Sequence, residues 1–158
     1  MNADEIAKGI SPLNPEKAGI RAGRLMLQRI KELLNQGESF AFETTLSTKS
    51  YQGLIKNAKK KGYDTTLLFL SLDSVELAIH RVQTRVKEGG HNIPIETIER
   101  RYSSGLVNFF KIYRSIVSRW ILVDNSTENF EFIAEGFGHE VIIRSEGKWS
   151  FLNENYNE

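Results

Sequence analysis

The stretch Thr65-Thr-Leu-Leu-Phe-Leu-Ser71 is apolar almost throughout, and that uniformity constrains the chain more than any other feature. A strand with one wet face alternates apolar and polar residues; a run without alternation is what a parallel strand covered on both faces by helices requires. The run therefore predicts a central strand of a layered α/β sheet. Its neighbours agree. Asn14-Pro15 reads as an N-cap with proline at the first helical position, and Ala22, Met26, Ile30, Leu33 and Leu34 recur at helical spacing until Gly37. Ser39–Thr44 reads as a short strand. Tyr51, Leu54, Ile55 and Ala58 mark a second helix ending in Lys59-Lys60-Lys61, where cations oppose the negative dipole end.

Beyond the apolar run, Asp73 with Glu76 forms a start resembling a capping box, and Val75, Ala78, Ile79, Val82 and Val86 mark the inward face of a helix stopped by Gly89-Gly90. Pro94 opens another helix containing Ile98, Tyr102 and Phe109. Trp120–Asp124 supplies a further strand. Phe132 and Ile133, the Gly136–Gly138 turn, Val141–Ile143 and Trp149 read as a small antiparallel appendage over about 130–152. Strands alternating with helices give a three-layer sheet with functional groups at the carboxyl ends of its strands. Glu43-Thr44-Thr45, Asp73-Ser74 and Asp124-Asn125-Ser126 fall at those ends.

Composition narrows the function classes. The 158 residues suit one domain, and 21 basic against 20 acidic residues leave a formal net charge of +1, with no overall field to draw nucleic acid or an anionic membrane. No cysteine is present, which excludes disulfides, thiolate metal sites and cysteine nucleophiles and fits a reducing compartment. With neither a signal pattern nor a membrane-length apolar run, the cytoplasm is the expected location. No metal cage is apparent.

Several segments, taken in order, carry a resemblance: Asn2-Ala-Asp4-Glu-Ile6, Ser11-Pro-Leu-Asn-Pro15, Phe42-Glu-Thr-Thr-Leu46, Gly89-Gly-His-Asn-Ile-Pro94, Arg100-Arg-Tyr102, Asn108-Phe109 with Tyr113, and Asp124-Asn-Ser126. Together they resemble the zeta-toxin family of P-loop small-molecule kinases. The resemblance implies one kinase-type domain over 1–158 with a lid over about 74–113. It also implies use of ATP and Mg2+, a nucleotide-sugar substrate phosphorylated on a sugar hydroxyl, as UDP-N-acetylglucosamine is in the family, and an antitoxin protein as partner. It puts Asp4 at the position of the proton-accepting aspartate. Glu43, Thr44 and Thr45 either hold substrate or cap the following helix. Arg81, Arg85, Arg100 and Arg101 either reach phosphate from the lid or form surface ion pairs: Arg81, Arg85 and Arg101 are the catalytic candidates, Arg100 the substrate-binding one. Asp124 and Asn125 either lie near the adenine or form a turn. His91 reads as a loop-shaping residue of the lid turn rather than an acid–base catalyst.

One part of the family pattern is missing. P-loop kinases need Gly-x-x-x-x-Gly-Lys-Ser/Thr after their first strand, because its amides cradle the phosphates, its lysine reaches the transferred group and its hydroxyl holds magnesium. The 158 residues contain no such motif; Gly147-Lys148 lacks the partner glycine. The expected sheet thus lacks its central first strand, between the strand ending near Glu43 and the one ending near Ser71. Two buried edges would then be unpaired. Direct closure of the two strands, a strand lent by a second copy in a homodimer, or an upstream segment lost by truncation or a late start codon would each answer this, and the last is the expectation.

Overall fold

A computed structural model describes residues 1–90 and 92–157, the side chain of Glu16 excepted. By their internal contacts these residues form two compact units.

The first unit comprises Met1–Thr44 and the turn beginning at Gly89. Helix α1 (Ala3–Ile10) starts at Asn2, whose side chain accepts hydrogen bonds from the Asp4 and Glu5 amides and so satisfies two otherwise orphaned donors. Helix α2 (Pro15–Gln36) has proline in its first turn and ends at Gly37, where φ is +76°, a left-handed stop open to glycine without strain. Ala18, Ala22, Met26, Ile30 and Leu34 are buried at intervals of four, the stripe that periodicity predicts. Ala7 of α1 packs on Ala18 and Ala22, with Ile6 and Ile10 at the rim; small side chains let the helices approach closely. Residues 39–44, expected as a strand, form none. Among their bonds, the Met1 amine donates to the Ala41 carbonyl (2.6 Å) and the Glu43 amide to the Met1 carbonyl (2.9 Å). These bonds are not the ladder that makes a strand.

The second unit contains a four-stranded sheet in the order β1 (Thr66–Ser71), β2 (Arg119–Asp124), β3 (Glu131–Phe137), β4 (Glu140–Ile143). Helix α3 (Tyr51–Lys60) precedes it. Parallel strands β1 and β2 cannot be joined by a hairpin. The crossover is α4 (Val75–Lys87), α5 (Ile95–Asn108), a π-helical turn (Phe109–Tyr113) and the short α6 (Arg114–Ile116). The Ser74 hydroxyl accepts from the Leu77 amide and caps α4, one residue after the expected Asp73 start.

Two expectations are corrected here. Strand β1 is an edge strand of this sheet rather than a central one, and Leu68 and Leu70 are 56% and 53% exposed. Its apolar run therefore does not report burial on both faces. Strands β3 and β4 pair antiparallel, as expected of this region, and continue the same sheet, whereas Trp149, expected with them, lies in helix α7 (Glu146–Tyr156). The helix forms because Trp149, Leu152 and Tyr156 recur at spacings of three and four and all pack on the core.

That core is aromatic. Phe109 meets Phe69 (5.0 Å between centroids) and stands edge-on to Trp120 (5.6 Å), and Trp120 stacks on Trp149 with ring planes 7° apart. The stack depends on a glycine opposite. Gly136 pairs with Trp120 across β2 and β3, and a Cβ there would sit 2.3 Å from the indole ring. Gly136→Ala is therefore expected to destabilise this unit by about 1–3 kcal/mol through overpacking. Chemical denaturation followed by tryptophan fluorescence measures it.

Candidate functional site

In the first unit Asn2 joins the two carboxylate-bearing segments. Its Oδ1 accepts from the Asp4 amide at 2.8 Å, and its Nδ2 donates to Glu43 Oε2 at 2.8 Å. Asp4 stands exposed in the first turn of α1, where the helix dipole favours a negative charge, and Glu43 is also exposed. The bridge brings together the catalytic candidate and the substrate-binding candidate that the sequence separates by 39 positions. Asn2 itself was not among the candidates. Its signal was its place as N-cap two residues before Asp4.

Sequence and strain converge on the segment that follows, in the second unit. Thr45 Oγ1 lies 2.9 Å from Ser47 Oγ. Between them Leu46 has φ +58°, the one positive φ outside glycine among the described residues, a conformation costing an L-residue about 1–2 kcal/mol. Its side chain is nevertheless buried in the core at 3% exposure.

A polar network occupies the carboxyl ends of β1 and β2. Asp124, 5% exposed, accepts from the Ser126 amide (2.8 Å) and hydroxyl (2.5 Å) and is ion-paired with Lys148 of α7. Burial alone would push the Asp124 carboxyl up; the hydrogen bonds from Lys148 and Ser126 outweigh it and hold the pKa below the usual carboxylate range. Lys148 is raised above the ordinary lysine range, first by its bond to Asp124 and then by Glu131 at 2.9 Å. A bulge places the lysine. The register shift at Leu122/Val123 leaves Ile133 as the extra residue of β3, and its carbonyl receives the Arg144 and Ser145 amides just before α7 begins.

Arg81 donates to the carbonyls of Asn125 (2.5 Å) and Ser126 (3.3 Å), and the Asp73 amide donates to Ser126 Oγ (2.8 Å). The guanidinium thus braces the turn after β2. Arg85, Arg100 and Arg101 make no hydrogen bond or ion pair among the described residues, and the surface ion pairs that formed the alternative reading are not made. Thr44 is exposed. His91 lies outside the described residues. Tyr102, whose hydroxyl donates to the Leu72 carbonyl, is pushed up to about 12 chiefly by burial. A cavity of about 160 Å³ opens beside this network, lined by Ser71, Leu72, Asp73, Asp124, Lys148 and Phe151 among others, and its wall is mainly apolar.

The residues present do not fit a triphosphate with its magnesium. The glycine-rich amide cradle and its lysine are missing from the sequence, and no group of three or more His, Cys, Asp or Glu among the described residues is arranged around a metal position. Asp124, the best-buried carboxylate at a strand end, is already engaged by Lys148 and Ser126.

Because the folded pKa of Asp124 is lowered, its pairing stabilises the unit above the ordinary carboxylate range, and that contribution disappears as pH falls through the lowered value. Lys148→Met is accordingly expected to cost about 1 kcal/mol at pH 7, discounted for the partly exposed ammonium. The difference from wild type should vanish in acid. Urea unfolding across a pH series measures both.

A sequence model described as zeta toxin matches residues 2–154. An uncharacterized protein of Haemophilus influenzae (strain ATCC 51907 / DSM 11121 / KW20 / Rd) is 35% identical over 102 residues, covering 65% of this chain and 73% of that protein. No solved structure matches. The match over almost the whole chain includes Asp4, Glu43, the crossover helices and the turn after β2. The chain belongs to the zeta toxin family.

Proposed function

We propose that this chain derives from an ATP-dependent small-molecule kinase and that it binds a nucleotide-sugar, of which UDP-N-acetylglucosamine is the family's example. The reading rests on the Asn2 bridge: one side-chain amide ties the Asp4 backbone to the Glu43 carboxylate, and both acidic residues are exposed. Exposed carboxylates suit sugar hydroxyls, with Glu43 as acceptor and Asp4 as the group that would take a hydroxyl proton in an active relative. Thr44 and Thr45 add hydroxyls to Glu43. Within the second unit, Arg85, Arg100 and Arg101 carry fixed charges of the kind that suits phosphate oxygens, whereas Arg81 donates to the carbonyls of Asn125 and Ser126. Since the phosphate cradle is missing, the 158-residue polypeptide by itself transfers no phosphate from ATP.

A second reading has its own observation. Strand β1 offers an uncharged edge, Thr66–Ser71, with Leu68 and Leu70 more than half exposed, which is the form that accepts a strand from another chain. An antitoxin protein or a second copy would supply it. If a second copy does, light scattering should show a dimer or larger species that Leu68→Lys returns to a monomer.

The nucleotide-sugar reading is tested by thermal denaturation. UDP-N-acetylglucosamine at a hundredfold excess over Kd should stabilise the chain by about 2.7 kcal/mol and raise the melting temperature by several degrees. Glu43→Ala should abolish the shift. A flat response of wild type to every nucleotide-sugar leaves only the protein-binding reading, and phosphate transfer from ATP by the unaided chain sinks the claim of inactivity.

A further inference from the structure

Two side chains and one glycine of a continuous helical stretch meet the loop that follows Glu43-Thr44. Asn108, 4% exposed, donates Nδ2 to the Leu46 carbonyl at 2.9 Å. Tyr113, fully buried, donates its hydroxyl to the Thr48 carbonyl at 2.6 Å. Gly105 leaves room for the Thr45 carbonyl, which a Cβ at that position would meet at 2.8 Å. Two of the four carbonyls from Thr45 to Thr48 are thus held by hydrogen bonds, and a third lies close against Gly105.

The π-helical turn makes this possible. Asn108 and Tyr113 are five residues apart, and five residues of an ordinary α-helix rotate a side chain about 140° away from its starting face. A π turn closes its hydrogen bonds between i and i+5, which brings positions so spaced over one another. The wide turn therefore aims both donors at one loop. That loop contains the left-handed Leu46, held although no glycine relieves it. Strain of this kind persists only where the surroundings over-determine it, and such strain gathers at ligand-binding segments.

We infer that Asn108 and Tyr113 are positioning residues that lock loop 45–48, with Leu46 left-handed, in the conformation in which Thr45 and Ser47 meet the hydroxyl and phosphate groups of a nucleotide-sugar. The lock itself stands on the geometry, and its ligand rests on the nucleotide-sugar reading above. Locking before binding removes the entropy of ordering the loop from the cost of association. Neither residue touches substrate.

The test uses Tyr113→Phe, which deletes one hydroxyl and keeps the ring, and Asn108→Asp, which keeps the shape and removes the donor. In the ligand-free chain, amide hydrogen exchange over residues 45–50 should quicken about tenfold in each variant, equivalent to about 1.4 kcal/mol, while exchange in β2 stays as in wild type. By calorimetry, the Kd for UDP-N-acetylglucosamine should rise about tenfold in Tyr113→Phe with the melting temperature of the free protein nearly unchanged. A merely structural hydroxyl would move the melting temperature and leave the Kd alone, which overturns the inference. Unchanged exchange in both variants overturns it as well. Quickened exchange in a chain whose wild type binds no nucleotide-sugar refutes the functional reading and upholds the lock.

Discussion

The parallel pairing of β1 with β2 is the constraint from which the second unit's other features follow. Two parallel neighbours oblige the chain to leave the sheet, run its length and return, and the excursion here is α4, α5, the π turn and α6. The same excursion supplies the side chains that fix two irregular segments. Arg81 near its beginning braces the turn after β2, and Asn108 and Tyr113 near its end hold the loop before α3. A crossover helix must pack one face on the sheet, as Phe109 does against Phe69 and Trp120. Polar residues on its margins are then delivered to fixed positions at the strand ends without any order of their own.

Electrostatics at those ends reads as architecture first. A nearly buried carboxylate is expensive unless charge and hydrogen bonds satisfy it, and Asp124 has both from Lys148 and Ser126. Lys148 reaches it only because the bulge at Ile133 holds the start of α7. A guanidinium facing backbone carbonyls, as Arg81 does, is likewise a brace that carries positive charge to the strand ends while its donors are occupied. Arg81 and Asp124 therefore organise the rim at the strand ends.

The legibility of the sequence followed how local each signal was. Helix α2 was readable at both ends because Asn14-Pro15 and Gly37 act through their own backbone, and the crossover helices were readable from their period and the Gly89-Gly90 stop. Residues 39–44 have types that suit a strand, but a strand needs a ladder of partner backbones, and the bonds to Met1 are not one. Strand β1 was placed centrally for a similar reason: an apolar run states what a strand could bury, not what lies against it. Trp149, grouped with the final strands, belongs to a helix set by Leu152 and Tyr156, which were left out of the pattern. Within the candidate site, Asp4 follows from the family pattern and Glu43 from that pattern and its expected strand end; the Asn2 that connects them, the Lys148 that holds Asp124 and the carbonyls that Arg81 meets depend on contacts between distant residues, which no spacing rule encodes.

The two edges of the sheet carry unequal protection, and the difference bears on how this chain meets other molecules. Strand β4 is four residues long, begins with Glu140 and is followed by Arg144, which pairs with Glu135; shortness and charge both discourage a further strand. Strand β1 is longer, lacks any charged residue and presents Leu68 and Leu70 to water. Its row continues across the sheet, Leu68 beside Ile121 and Leu70 beside Val123, so a strand added at this edge would extend an apolar surface that β2 already shares. Since charge and shortness at an edge oppose unwanted pairing, β4 carries both devices within its own sequence and β1 carries neither.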